Sequence, residues 1–417
     1  SFVYIVKKEE DIMKKFNKFL SVAVASAMVM AMAGCGNTDN GSAATGTNAA
    51  TESAAASDSA ASGSVFKIGG IGPTTGGAAV YGLAVQHGAE IAVEEINAAG
   101  GINGYQVEFK FQDDEADAEK SVNAYNALKD WGAQIIDGST TSGACIAVTD
   151  KTKEDNMFQI TPSGSAVECV QYDNNFRVCF SNPNQGLASA QYIGENGLAE
   201  KIAVIYDSSD VYSSGIYEKF AKEAENQPFE IVAAEAFTAD NKTDFSVQLQ
   251  KAKDAGADMV FLPIYYQESA LILTQAAAMG YAPKWFSCDG MDGILGGVDN
   301  FDVSLTEGVM LLTPFAADAT DDLTQSFVTK YKEKYGETPN QFAADSYDAI
   351  YVIKAAIEKS GVTPDMSVSD ICDGMKAAMT EITVDGLTGN GMTWTADGEA
   401  NKAPKAVVIE NGAYKAM

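Results

Sequence analysis

Gly132-Ala-Gln-Ile-Ile-Asp-Gly-Ser-Thr-Thr-Ser-Gly143 and, after a helical run, Met157-Phe-Gln-Ile-Thr-Pro-Ser-Gly-Ser165 form the stretch that decides the fold. Twice a short apolar run breaks off into small hydroxyl and glycine residues. Ile135 and Ile136 read as the end of a buried parallel strand, and Met157 to Ile160 as a second. Gly138–Thr141 and Thr161–Ser165 are then the loops at their carboxyl ends, where open α/β sheets bind ligands. Hydroxyls and free backbone N–H groups with little bulk suit a small anion such as a carboxylate. Taken singly, either loop reads more readily as a pair of helix caps.

The pattern extends outward on both sides. Val65 to Ile71 is an apolar strand, followed by a helix with Val85, Ala89, Ala92 and Ile96 on one stripe and Glu90, Glu94 and Glu95 outside. Gly100-Gly101 ends it. Val107, Phe109 and Phe111 alternate with polar residues as a half-exposed strand, and residues 117–131 form the next helix. The alternation predicts an α/β fold with a parallel, doubly wound sheet. It restarts after Asn182, with strands expected near 203–207, 231–236, 258–263, 285–289 and 308–313. Helices are expected over 245–255, 271–279, 323–335 and 343–359, and closing strands at 392–395 and 406–410. Ala255-Gly-Ala-Asp-Met-Val-Phe echoes Trp131-Gly-Ala-Gln-Ile-Ile-Asp, which suggests two lobes of like topology.

Ser139-Thr-Thr after one strand and Thr161-Pro-Ser-Gly-Ser after the next resemble the amino-acid clamp of the branched-chain amino-acid (leucine/isoleucine/valine-type) binding proteins. These are type I substrate-binding proteins of ABC importers. Gly69–Pro73, Tyr81-Gly82, the run Gly88 to Gly104, Asn182-Pro-Asn-Gln-Gly and Glu307-Gly-Val also fit, from about Val65 to the C-terminus. The resemblance implies two doubly wound parallel-sheet lobes joined by a three-segment hinge, with crossings near Asn182, Pro314 and Asn390. Residues 65–182 plus 314–390 would be lobe 1, and 183–313 plus 391–417 lobe 2.

The same resemblance assigns the site. Ser139, with Thr140 and Thr141 nearby, would hold the ligand carboxylate. Ser163 and Ser165 would meet the head group from the second loop, Ser165 standing where the family has Thr. Asp289, one methylene shorter than the usual Glu, would meet the α-ammonium, with Asp292 as the fallback. Tyr81, Tyr212, Tyr265 or Tyr266, and Phe342 would form aromatic walls. The lobes would hinge shut on an amino acid, and the closed protein, a monomer, would dock on a membrane permease. Another small polar ligand, such as urea or a short amide, is the alternative within transport.

Bulk properties narrow the field. Twenty-eight basic against 57 acidic residues give a net charge of −29, which argues against nucleic acid and anionic lipid as partners of the folded body. The single histidine, His87, falls on a polar helix face and reads as solvated; one histidine excludes a multi-His metal site. The Gly69–Gly77 run misses dinucleotide-loop spacing and is interrupted by Pro73. No Gly-x-Ser-x-Gly, P-loop, His-Glu-x-x-His or paired-Cys zinc motif occurs, so no enzyme, cofactor or metal is expected. A sensory receptor domain of the same fold would need a transmembrane or signalling segment after the lobes, and transport is the expected reading.

The N-terminal region carries an address. Met13 opens an export signal, leaving residues 1–12 upstream of it. Lys14, Lys15 and Lys18 are its positive segment and Phe19 to Met32 its apolar segment, too short for a comfortable membrane span. Met32-Ala-Gly-Cys35 resembles the lipobox of bacterial lipoproteins, which implies lipid on Cys35 and anchoring to the outer face of the cell membrane. Residues 1–34 are thus upstream residues and signal, and 35–64, rich in Gly, Ser, Ala, Thr and Asn, a flexible tether. Of the remaining cysteines, 145, 169, 179, 288 and 372, only Cys169 and Cys179 are spaced as a plausible disulfide; buried free thiols are the competing reading.

Overall fold

The computed structural model describes residues 63–417, so the export signal, Cys35 and the tether as far as residue 62 lie outside the described residues. The first sheet is wholly parallel, in the order β2-β1-β3-β4-β5. Its strands are β1 (Phe66–Gly72), β2 (Val107–Asp113), β3 (Ile135–Asp137), β4 (Phe158–Thr161) and β5 (Asn175–Arg177). Crossovers are α1 (Ala79–Ala98), α2 (Ala118–Trp131) and α3 (Ser142–Asp155). β3 and β4 are buried along their whole length, the polar Asp137, Gln159 and Thr161 included with the apolar Ile135, Ile136, Phe158 and Ile160. α2 is bounded by local chemistry: Asp117 accepts from the Lys120 N–H at its start. Gly132, at φ 94°, takes the left-handed position past its end.

A second sheet follows, in the order β12-β11-β10-β9-β8-β6-β7. It contains β6 (Lys201–Asp207), β7 (Glu230–Phe237), β8 (Met259–Leu262), β9 (Lys284–Ser287), β10 (Met310–Thr313), β11 (Lys405–Glu410) and β12 (Ala413–Ala416). β6 to β10 are parallel; β11 and β12 turn back antiparallel on β10 and on each other. The helices here are α4 (Asn182–Glu195), α5 (Val211–Ala224), α6 (Ser246–Asp254) and α7 (Tyr266–Ala278). After β10 come α8 (Asp322–Tyr335), α9 (Gln341–Ser360) and α10 (Val368–Ala378). These return to the first sheet: α9 packs along α1, and α10 against β4. Gly88 makes the α1–α9 approach possible, since a Cβ there would fall 2.0 Å from the Ala343 carbonyl oxygen.

Both sheets have a switch point at which successive connections leave in opposite directions, between β1 and β3 in the first and between β6 and β8 in the second. The loops after those four strands, with those after β4 and β9, carry the residues considered below. Nearby, a buried ion pair ties distant chain segments together. Lys402 Nζ donates to Asp345 Oδ1 (2.7 Å), Thr388 Oγ1 (2.6 Å) and the Val178 carbonyl (3.0 Å).

Two expectations need correction, and of two competing readings of the cysteines one holds. Residues 392–395 form no strand: Met392 and Trp394 make only isolated bridges, to Val384 and Ala400, and Trp394 Nε1 donates to the Arg177 carbonyl at the end of β5. The second sheet also ends on the unexpected antiparallel β12. His87 is half-buried, not solvated: α8 lies over α1, so the imidazole stacks on Tyr335 at 3.7 Å, with Nδ1 3.3 Å from Tyr331 Oη. As for the thiols, Cys145, Cys169, Cys179, Cys288 and Cys372 are all free and buried, so the Cys169–Cys179 bridge is absent. Among the described residues no helix is long and apolar enough to cross a membrane, and no group of three or more His, Cys, Asp or Glu side chains is arranged to hold a metal.

Candidate functional site

One tight pocket gathers Tyr81, Thr140, Thr141, Ser142, Ser163, Tyr212, Tyr265, Asp289, Gly290 and Phe342, with about 10 Å³ of free space between them. Ligand pockets commonly span about 300–1,000 Å³, so the walls of this one stand nearly closed on one another. Thr140, Thr141, Ser142 and Ser163 come from the loops after β3 and β4. Tyr212, Tyr265, Asp289 and Gly290 come from the loops and helix starts after β6, β8 and β9. Tyr81 and Phe342 sit at the starts of α1 and α9.

The first side of the pocket is a helix start with an unpaired hydroxyl. Thr141 is the residue before α3, and Ser142 is the helix's first residue. The opening N–H groups of a helix have no partner within it and carry partial positive charge. Thr141 makes no capping bond, and its Oγ1 is buried without a hydrogen-bond partner. A buried hydroxyl left unpaired is costly, so this one stands ready for an incoming acceptor. The surrounding hydroxyls hold the frame. Ser163 Oγ donates to the Thr140 carbonyl (2.6 Å), and Thr161 Oγ1 to the Ser139 carbonyl (2.7 Å). Ser142 Oγ accepts from the N–H groups of Ser165 and Ala166, each at 3.2 Å.

The opposite side is acidic and aromatic. Asp289 Oδ1 accepts from Tyr212 Oη (2.6 Å) and Oδ2 from Gln185 Nε2 (2.9 Å). Burial pushes its carboxyl up to about 7, although the Tyr212 bond opposes the rise; the Asp345 charge adds to it. Tyr81 Oη donates to the Gly290 carbonyl and accepts from the Tyr266 N–H at 3.2 Å. Its ring lies 4.3 Å from Phe342 and 5.4 Å from Tyr265, and Tyr265 lies 5.0 Å from Tyr212. Aromatic faces meeting a head-group site give a wall that favours apolar atoms. A further cavity of about 330 Å³, lined among others by Glu115, Asp207, Asp210 and Glu268, shares Thr141 and Tyr265 with this pocket.

Eight of the residues expected from sequence line the pocket: Tyr81, Thr140, Thr141, Ser163, Tyr212, Tyr265, Asp289 and Phe342. Ser139 does not; its Oγ lies 2.6 Å from Ser121 Oγ of α2. Ser165 lies behind the wall, bonded to Ser142. Tyr266 contributes its backbone N–H to Tyr81, and its ring sits outside the lining. Asp292 also sits outside it, with Oδ2 accepting from the Gln341 N–H (2.9 Å). Ser142 and Gly290 line the pocket without having been expected. Ser142 was open to inference as the first residue of the helix after Thr141. Gly290 contributes only backbone and leaves no side-chain signal.

Residues 65–413 match a family model described as periplasmic binding protein. The chain is 30% identical over 300 residues to the Leu/Ile/Val-binding protein homolog 3 of Brucella melitensis, covering 72% of this chain and 80% of that one. It is 30% identical over 302 residues to the leucine-, isoleucine-, valine-, threonine- and alanine-binding protein of Pseudomonas aeruginosa, covering 71% and 78%. The crystal structure of the branched-chain amino acid transporter substrate-binding protein LivJ from Streptococcus pneumoniae, in complex with isoleucine, superposes with a TM-score of 0.76 at 28% identity. That match covers 85% of this chain and 99% of LivJ.

Proposed function

The chain belongs to the periplasmic binding protein family, and from that premise we propose that it captures an α-amino acid, branched-chain or other aliphatic, for an ABC importer. The observation that carries this reading is one small pocket holding both halves of a head-group clamp. The unpaired Thr141 hydroxyl and the start of α3 suit a carboxylate, and Asp289 suits an ammonium. An amino acid presents both charges side by side, and each must be met once water is excluded. The aromatic wall of Tyr81, Tyr265 and Phe342 suits an aliphatic side chain. Named relatives that bind leucine, isoleucine and valine support the choice.

In the mechanism we infer, residues 65–182 and 314–390 act as one lobe and 183–313 and 391–417 as the other. The ligand enters between them, and hinge closure removes it from water. The closed protein then presents the ligand to a membrane permease, unchanged. Cys35, carrying lipid, would hold the protein at the outer face of the membrane through the tether.

Isothermal titration of the purified chain with leucine, isoleucine, valine, urea and acetamide tests the reading. We expect micromolar or tighter binding of at least one branched-chain amino acid, recovered intact afterwards. Binding of urea or acetamide with no response to any amino acid would overturn it.

A further inference from the structure

Arg177 is the one arginine among the described residues, and it is fully buried at the carboxyl end of β5, outside the pocket lining. A buried guanidinium is retained only where its charge and its five donors are put to use. Here Nη1 donates to the Gly164 carbonyl (3.2 Å) and Nη2 to the Ala166 carbonyl (2.8 Å). Those two carbonyls bracket Ser165 in the second hydroxyl loop. The trans peptide is planar, so holding the Gly164 carbonyl on one side aims the Ser165 N–H to the other. That N–H meets Ser142 Oγ, on the first residue of α3 and in the pocket wall. A chain of contacts therefore runs from Arg177 through Gly164–Ser165 and Ser142 to the helix start that faces the ligand.

The other face of Arg177 meets the segment that leads into the last strands. Its N–H donates to the Gly398 carbonyl (3.1 Å), and its own carbonyl accepts from Trp394 Nε1 (2.8 Å). Glu399 Oε2 lies 3.4 Å from Nε, an ion pair without hydrogen-bond geometry. Residues 394–399 thus meet the same residue as the head-group loop, through its main chain at Trp394 and Gly398 and through its guanidinium at Glu399.

We propose that Arg177 is a positioning residue: it fixes the Thr161–Ala166 loop, and through Ser142 the anion end of the pocket, against the Trp394–Glu399 segment. The inference rests on the head-group reading above. Lysine would keep the charge but cannot hold two carbonyls in the same fork.

The test uses the purified chain, with L-leucine as the probe, and compares Arg177→Lys and Glu399→Gln with the wild type. Two readouts are needed: the Kd, and amide hydrogen exchange resolved for residues 161–166 and for β3. Arg177→Lys is expected to weaken leucine binding about 10-fold or more. It should speed exchange at the Ser165 and Ala166 amides at least 10-fold, while β3 protection and the melting temperature of the empty protein stay near wild type. Glu399→Gln, on the half-exposed partner, should move the same two amides by a smaller factor. Arg177→Lys binding within twofold of wild type, or losing protection evenly across the first sheet, would overturn the proposal. If the wild type itself ignores leucine, the amino-acid reading fails instead, and the exchange pattern of the empty protein alone decides the role of Arg177.

Discussion

Asp289 ties ligand binding to pH. Its carboxyl is buried and pushed up to about 7, so the empty pocket carries a proton there below neutrality. An ammonium ligand needs the ionised form. Binding below pH 7 must therefore expel a proton, and the apparent Kd should rise about tenfold for each pH unit below that value. Between pH 7.5 and pH 5 the loss should approach about 100-fold, which is about 2.7 kcal/mol. Titration at pH 6 in buffers of different ionisation enthalpy should show close to one proton released per leucine bound. Asp289→Asn keeps the shape and most hydrogen bonds, but removes both the charge and the titration. It should weaken binding by about 100-fold at pH 7.5, given that charged hydrogen bonds contribute roughly 1.5–3 kcal/mol and the stranded ammonium adds to the loss. It should also flatten the pH profile. Asp292→Asn, outside the lining, should do neither. A wild-type Kd constant from pH 5 to 8 with no proton release would refute Asp289 as the ammonium partner.

The same carboxyl acts on stability with the opposite sign. Its folded-state value lies above the ordinary 3.8, so the folded protein holds the extra proton between about pH 4 and 7, and stability falls as pH rises through that window. The melting temperature of the empty Asp289→Asn variant should therefore gain on wild type from pH 5 to pH 8. Thr141→Val removes the unpaired hydroxyl at constant shape and should weaken leucine binding about 10-fold with an unchanged melting temperature, by titration and calorimetry. Ser139→Ala should cost less, since that hydroxyl is turned to Ser121. A thiol reagent should leave Cys145, Cys169, Cys179, Cys288 and Cys372 untouched in the native protein and label all five after denaturation, with no disulfide by intact mass. In a host with lipoprotein processing, Cys35→Ala should release the chain from the membrane fraction, read by mass and fractionation.

The fold was legible wherever burial alone dictates composition. β3 and β4 are buried on both faces, and Ile135, Ile136, Phe158 and Ile160 announce them. Residues 392–395 misled because Met392 and Trp394 alternate like a strand, yet Trp394 spends its N–H on the Arg177 carbonyl. The site was legible in residue type and less so in direction. Whether Ser139 or Thr141 faces the pocket depends on Ser121, brought up by α2. Asp292 is taken by the Gln341 N–H, 49 positions along the chain. Tyr265 and Tyr266 are neighbours in sequence, and only the entry into α7 decides which ring turns inward. Arg177 gave a signal of another kind, a lone arginine in a strand, but its partners are backbone carbonyls that carry no sequence mark.

Tyr81 has a consequence for how such a protein diversifies. Its hydroxyl joins α1 to the far wall through the Gly290 carbonyl and the Tyr266 N–H, both main-chain groups. A seam that requires one side chain on one side and only backbone on the other makes no demand of its own on the side chains of residues 266 and 290. Tyr266 is itself buried against the Tyr81 ring, and Gly290 has no room for a Cβ beside Tyr212, so packing and not the cross-link limits change there. What the cross-link asks of the sequence is thereby separate from what the pocket lining asks of it.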